Sequence, residues 1–396
     1  MDPVLARSAP TDWVYLGEGG AHVIFRYRGT NPALQGRAMR LVKTDGAAAD
    51  AALRNTWAAE LLPQLVPASL LATPTPTAVD SKWTRAVVTP TELMRPAERR
   101  AEGKPLAESV DYGRPAQLMD DLTCGMTGQK VLAIEIKPKW GFLPQAQHLH
   151  PPESIPIKTR NCRFCLHQHH RGEDVDGTVY CPIDLYSTDR SRVRKALDGL
   201  WAQWHSSAGD KNNLRVYVDG KMVLPPSAEL IPTAHAGDLS DGTADFLIPL
   251  LEKSSALQQL KQLQSTLDAT NISDLARQHS EAYPGNKPFE SVAEPTAAEL
   301  SSFVKLYLAD PTAGARSPDA WTLRQREIAF MLSAIFKDCS MIVRAVLRNT
   351  GAGYELDEAR SVVKIIDTDL KPLTNLGKWH ALDEKLWRHW AETKGS

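Results

Sequence analysis

The chain has 396 residues, 42% of them hydrophobic and 23% charged, enough for a sizeable core and more than one lobe. A formal net charge of −1 excludes a global field drawing it to nucleic acid or a membrane surface, so any anion site must be a local concentration of base. No apolar run approaches the ~18 residues of a membrane helix, "MDPVLARSAPTDW" lacks the layout of a secretory signal, and five cysteines suit no disulfide framework, which points to a reducing compartment, nucleus or cytoplasm.

In chain order, residues 12–45 read as strands: "WVYLGEGGAHVIFRY" is a strand, a glycine turn and a strand, and "RAMRLVKT" a third. Residues 56–66 read as a short amphipathic helix, and 73–115, rich in Pro, Thr and charge, as strand and loop. "VLAIEIK" is the next strand. "SRVRKALDGLWAQWHSS" sets Val193, Leu197, Leu200, Trp201 and Trp204 on one helical face, and 213–224 forms a hairpin turning at Asp219-Gly220. Leu257, Leu260, Leu263 and Leu267 mark a helix, 281–318 reads as loop, and 321–337 as a helix feeding the strand "CSMIVRAVL", which pairs with "SVVKIID". The expected architecture is α+β: a two-lobed, kinase-like fold with a β-rich first lobe, 1–118, and a larger α+β second lobe, 119–396.

In "GEGGAHVIF" (17–25), Gly17, Gly19 and Gly20 let the backbone turn sharply and offer N–H groups to phosphate oxygens. Set between strands rather than before a helix, the loop is of the kinase kind; a plain hairpin turn is the alternative. Arg40 and Lys43 on the third strand are candidate phosphate ligands. Their odd spacing turns them to opposite faces, one to the cleft and one to solvent. In "VLAIEIKPKWGFLP" (131–144), strand alternation would put Glu135, Lys137 and Lys139 on one face, a pocket wall suited to an anion, with Pro138 fraying the strand. "KTRNCRFCLHQHHR" (158–171) has no acid between Glu153 and Glu173; as a helix it aligns Arg163, His167 and Arg171 in one stripe that suits a polyphosphate better than open solvent. Cys162, Cys165, Cys181, His169 and His170 could supply zinc ligands, but with a single C-x-x-C buried free thiols are the better reading. Asn212 and Asn213 can donate to hydroxyl or phosphate oxygens or simply cap a loop. Asp338 opens one of the last paired strands and Asp367 closes the other, so an antiparallel hairpin would make them neighbours: one to deprotonate an attacking hydroxyl, one to hold Mg²⁺ on the β/γ-phosphates, with Lys371 near the transferred group.

Taken together, "GEGGAH", "MRLVK", "EIKPKWGFLP", "RFCLHQ", "YCPIDLYS", "NNLR", "KDCSMI" and "IIDTDLKP", in that order, resemble the inositol-pentakisphosphate 2-kinase family from Gly17 to about Lys371. The resemblance implies ATP, Mg²⁺ and transfer of the γ-phosphoryl group to the axial 2-hydroxyl of inositol 1,3,4,5,6-pentakisphosphate. A monomer, with no direct nucleic-acid partner, is the accompanying expectation. It implies Asp338 as base with Lys139 beside it, and Asp367 as metal ligand. Gly19, Gly20, Ala21, His22, Arg40, Glu135, Lys137 and Arg215 would serve the nucleotide, with Asp121 marking the hinge near adenine. Lys139, Arg163, His167, Arg171, Asn212, Asn213 and Lys371 would hold the inositol phosphates. The chain departs from the family at Trp140, where Cys is usual, and at Asn375 and Trp379, where Arg and Tyr are, so Lys378 is a candidate substitute. With no Cys from 182 to 338, the plant members' zinc site is absent. A non-catalytic inositol phosphate receptor is the alternative; a protein kinase is disfavoured by the lack of H-R-D and D-F-G strings.

Overall fold

The computed structural model describes residues 1–394 except 21, 45–50, 102–103, 127, 174–178, 226–238, 318–319 and 351–353. The architecture is α+β in two lobes. The first is an antiparallel sheet of β1 (Trp13–Glu18), β2 (His22–Tyr27), β3 (Arg37–Val42), β4 (Thr75–Thr77) and β5 (Ala116–Asp120), in the order β1-β2-β3-β5-β4. Alternation sends Val23, Phe25, Met39 and Leu41 to one face, where they form a core with Val87 and Val88 of helix α1 (Ser81–Val88). It leaves Ile24, Arg26, Ala38, Arg40, Gln117 and Met119, matched across the ladder, on the other.

The second sheet comprises β6 (Lys130–Ile136), β7 (Leu214–Val218), β8 (Lys221–Val223), β9 (Ser340–Asn349), β10 (Tyr354–Leu356) and β11 (Val362–Ile366). It runs β10-β9-β6-β7-β8, with β11 also pairing with β9. Leu132, Ile134, Ile136, Met341 and Val343 face the main core. Around that core pack α2 (Arg163–His170), α3 (Arg190–Ser206), α4 (Leu239–Ser254), α5 (Ala256–Leu267), α6 (Asn271–Ala282), α7 (Ala297–Ala309), α8 (Leu323–Phe336) and α9 (Leu376–Lys394). The opposite face, with Val131, Ala133, Ile342 and Val346, turns to the first lobe. Between the lobes a cavity of about 410 Å³ is bounded by Gly36, Arg37 and Asp120 on one side and Arg344 on the other. The helical stretch 51–65 precedes β5 in sequence yet packs in the second lobe's core through Trp57, Leu61 and Leu65.

The β7–β8 hairpin turns where expected, with positive φ at both Asp219 (48°) and Gly220 (78°). Other expectations need correction. Residues 73–115 contain α1, started by Asp80, whose side chain accepts from Trp83 N at 2.9 Å. Within 281–318 lies α7, begun by a capping box in which Thr296 N donates to Glu299 Oε2 at 2.8 Å and Glu299 N to Thr296 Oγ1 at 3.2 Å. The helix expected over 56–66 starts at Ala51 and widens into a π turn, Trp57–Leu61, ahead of Pro63, which has no N–H to give the turn before it. Helices α4, α6 and α9 carry no reading from sequence.

Candidate active site

The stretch "EIKPK" does not continue as a strand. β6 ends at Ile136, because Pro138 cannot donate to a ladder, and Lys139 takes a left-handed backbone with φ 57°. The three-residue alternation is therefore corrected: Glu135 stays in the sheet, while Lys139 is aimed by a turn. That turn is clamped from three directions. Tyr180 Oη donates to Pro138 O at 2.8 Å, Gln264 Nε2 of α5 donates to Lys139 O at 2.8 Å, and Gly141 N donates to Gln264 Oε1 at 2.8 Å. Tyr186 Oη reaches Lys139 O at 3.3 Å, so both tyrosines of "YCPIDLYS" hold the lysine turn.

Lys139 Nζ thereby lies 3.0 Å from Asp338 Oδ1, and Lys371 Nζ lies 2.7 Å from Asp338 Oδ2. Burial pushes the Asp338 carboxyl up, but the Lys139 and Lys371 ammoniums outweigh it and hold it at about 2. Burial also lowers the pKa of Lys139, against the pull of Asp338.

These groups open onto a cavity of about 230 Å³. Its basic wall is α2, which presents Arg163 and His167 one turn apart. Burial, then the Arg171 and Arg163 charges, lowers His167 to about 4, so the free imidazole is neutral near pH 7. Arg163 does have an acid partner, supplied from outside the stripe: its Nε lies 3.4 Å from Asp383 Oδ1 of α9, and Asp383 Oδ2 accepts from Lys158 Nζ at 2.7 Å. Trp140 and Trp379 form aromatic walls. Lys337, one residue before Asp338, sits 4.0 Å from the Trp140 ring centre and pairs with Asp268 at 2.6 Å, both side chains almost fully buried. Lys337 and Asp383 were missed in sequence; an ammonium beside the reacting acid was the available signal for the first, and nothing local marked the second.

On the opposite side of Asp338, the β9–β11 pairing matches Ile366 with Ser340 and brings Asp367 to the same sheet end, with Ser340 Oγ donating to Asp367 Oδ2 at 3.1 Å. Glu135 is buried there; burial drives its carboxyl up, Arg215 pulls it back, and the Asp367 charge adds to the rise. Arg215 Nη1 stands 3.8 Å from Glu135 Oε2, and Lys137 N donates to Asn213 O at 3.0 Å. Carboxylate and hydroxyl oxygens grouped this way are hard donors of the kind a magnesium-class ion takes, and Asp367 is the carboxylate here that could hold one.

Between β1 and β2, a Cβ added at Gly17, Gly19 or Gly20 would meet nothing within 4 Å, so the loop stands clear of the protein with room for a ligand. Ala21 lies outside the described residues. Of the two candidate cations on β3, Arg40 faces the second lobe, with Nη2 2.7 Å from His22 Nδ1 and 3.2 Å from Asp369 Oδ1. Burial, then Arg40, lowers His22 to about 4. Lys43 is not solvated as expected; it is buried against Glu18, which also pairs with Arg95, because that acid needs neutralising inside the first lobe.

Other predicted residues stand apart. Arg171 caps the C-terminus of α2, exposed and away from the cavity wall, because the helix ends at His170. Asn212 is exposed on the turn before β7. Asp121 follows β5 at the crossing between lobes, but its carboxylate is buried against Arg26 and Thr123 and is closed to a base. Lys378 is exposed and does not line the cavity that Trp379 lines. Cys162, Cys165 and Cys181, three of the five residues weighed as zinc ligands, bring their sulfurs within 4.8 Å of one another and are free thiols. His169 and His170 instead meet His389 of α9.

A family model described as inositol-pentakisphosphate 2-kinase matches residues 15–385. An inositol-pentakisphosphate 2-kinase of Cryptococcus neoformans is 41% identical over 403 residues, covering 99% of this chain and 96% of the relative. The enzymes of that name from Oryza sativa and Arabidopsis thaliana are 25% and 23% identical, each covering 98% of this chain and 95% and 94% of their own.

Proposed function

As this chain belongs to the inositol-pentakisphosphate 2-kinase family and is an enzyme of that kind, we propose that it transfers the γ-phosphoryl group of ATP to the 2-hydroxyl of inositol 1,3,4,5,6-pentakisphosphate, giving the hexakisphosphate and ADP. The observation that carries this reading is Asp338, ionised between Lys139 and Lys371 where a basic cavity meets the Asp367 cluster. Asp338 takes the proton of the 2-hydroxyl as its oxygen bonds to the γ-phosphorus and the bond to ADP breaks. The two ammoniums serve a second purpose. Substrate phosphates compete for them, and each one drawn away raises the basicity of Asp338, so the base strengthens as the site fills. Arg163 and neutral His167 offer N–H donors to ring phosphates, and Lys139 spans substrate and reacting centre. Gly19, Gly20, His22, Arg40, Lys137 and Arg215 take the nucleotide phosphates and ribose side. Asp367, with Glu135 close by, would hold Mg²⁺, and the ion would supply charge neutralisation on the transferring phosphates.

On the same reading the enzyme works as a monomer in nucleus or cytoplasm, without nucleic acid; no helix among the described residues is long and apolar enough to cross a membrane. Incubation with ATP, Mg²⁺ and the pentakisphosphate should give ADP and hexakisphosphate in equal amounts, with the new phosphate at the axial position by ³¹P NMR. Tight binding without turnover would leave the receptor reading standing, and transfer to protein alone would make it a protein kinase.

A further inference from the structure

The cleft face of the first lobe holds a buried acceptor with no partner, Gln117 Oε1. Gln117 is the cross-strand match of Arg40, and matched residues of a ladder share a face. Arg40 reaches Asp369 of the second lobe, so Gln117 looks into the cleft as well. Sheet order then ranks the parts of a nucleotide. The glycine turn joins β1 and β2, Arg40 is on β3, and Gln117 is on β5, the next strand out. Phosphates at the glycine turn and Arg40 put Gln117 toward the base end. Its neighbours on the same sheet face are Arg40, matched across the ladder, and the apolar Ile24, Ala38 and Met119, a surface suited to a flat aromatic ring.

We propose that Gln117 is the adenine-specificity residue, its Oε1 accepting a hydrogen bond from the exocyclic 6-amino group of the base. This rests on ATP as the phosphoryl donor. A buried acceptor left unpaired is costly, and an amide is a natural partner for the hydrogen-bonding edge of adenine. Guanine presents a carbonyl oxygen at the same place, acceptor against acceptor, and is rejected.

The test pairs a change in protein with a change in ligand. Purine riboside triphosphate lacks only the 6-amino group, and Gln117→Met lacks only the amide. Wild-type enzyme should show KM about tenfold higher for purine riboside triphosphate than for ATP, and Gln117→Met should lose the difference, with KM for the inositol substrate and thermal midpoint unchanged. Gln117→Glu, which keeps an acceptor, should retain preference for ATP and secures the comparison if the Met variant folds poorly. An equal ATP preference in wild type and Gln117→Met overturns the assignment of Gln117 alone. A wild-type enzyme that uses neither triphosphate overturns the ATP reading itself.

Discussion

At the scale of single residues, the site is built from charges that restrain one another until substrate arrives. His167 is the clearest reporter. A polyanion stabilises the charged imidazole more than the neutral one, so binding raises its pKa from about 4 and the protein takes up protons in the window above that value. Calorimetry at about pH 5.5 in two buffers of different ionisation enthalpy should give greater proton uptake for wild type than for His167→Gln; equal uptake would mean the imidazole does not meet the phosphates. Arg163→Ala should raise KM for the inositol substrate by about tenfold or more and KM for ATP by much less, since the guanidinium lines the cavity and stands apart from the glycine turn. Equal effects on both would make Arg163 a structural residue held by Asp383.

At the scale of elements, the site depends on how few segments hold it. The Lys337–Asp268 pair ties the end of α8 to the end of α5 beneath the cavity. Lys337→Met strands a buried carboxylate and should cost about 3–5 kcal/mol, read as a lower urea midpoint, while adding Asp268→Leu should restore much of the loss. A single variant as stable as wild type would show the pair to be hydrated. The strands were legible because alternation, the glycine turn and Asp219-Gly220 are local signals, and the Asp338–Asp367 neighbourhood followed from pairing two apolar strands. What was not legible is long-range. The Lys139 turn is set by Gln264, 125 positions away, and Asp383 reaches Lys158 across 225. The caps at Asp80 and Thr296 were local but lay in Pro-, Ser- and Thr-rich stretches whose composition argued for loop.

At the scale of the molecule, a nearly neutral chain gathers base on one cavity and acid at its edge, so recognition is short-ranged. Raising ionic strength to about 0.5 M should therefore lift KM for the inositol substrate without a matching fall in kcat; a salt-independent KM would place the phosphates outside the cavity. The lobes meet through Arg26 with Asp121 and Gly220 O, and through Arg40 with Asp369, and the residues proposed to take the nucleotide fall on both sides of that seam. Everything converges on Asp338 as the proton acceptor in this arrangement. The direct measurement is a single-turnover quench with saturating enzyme, ATP, Mg²⁺ and the pentakisphosphate, comparing wild type with Asp338→Asn alongside equilibrium binding of both ligands. The expected result is ligand binding kept within a few-fold and phosphoryl transfer slowed by about a thousandfold or more; a variant that transfers phosphate at near the wild-type rate would contradict the account.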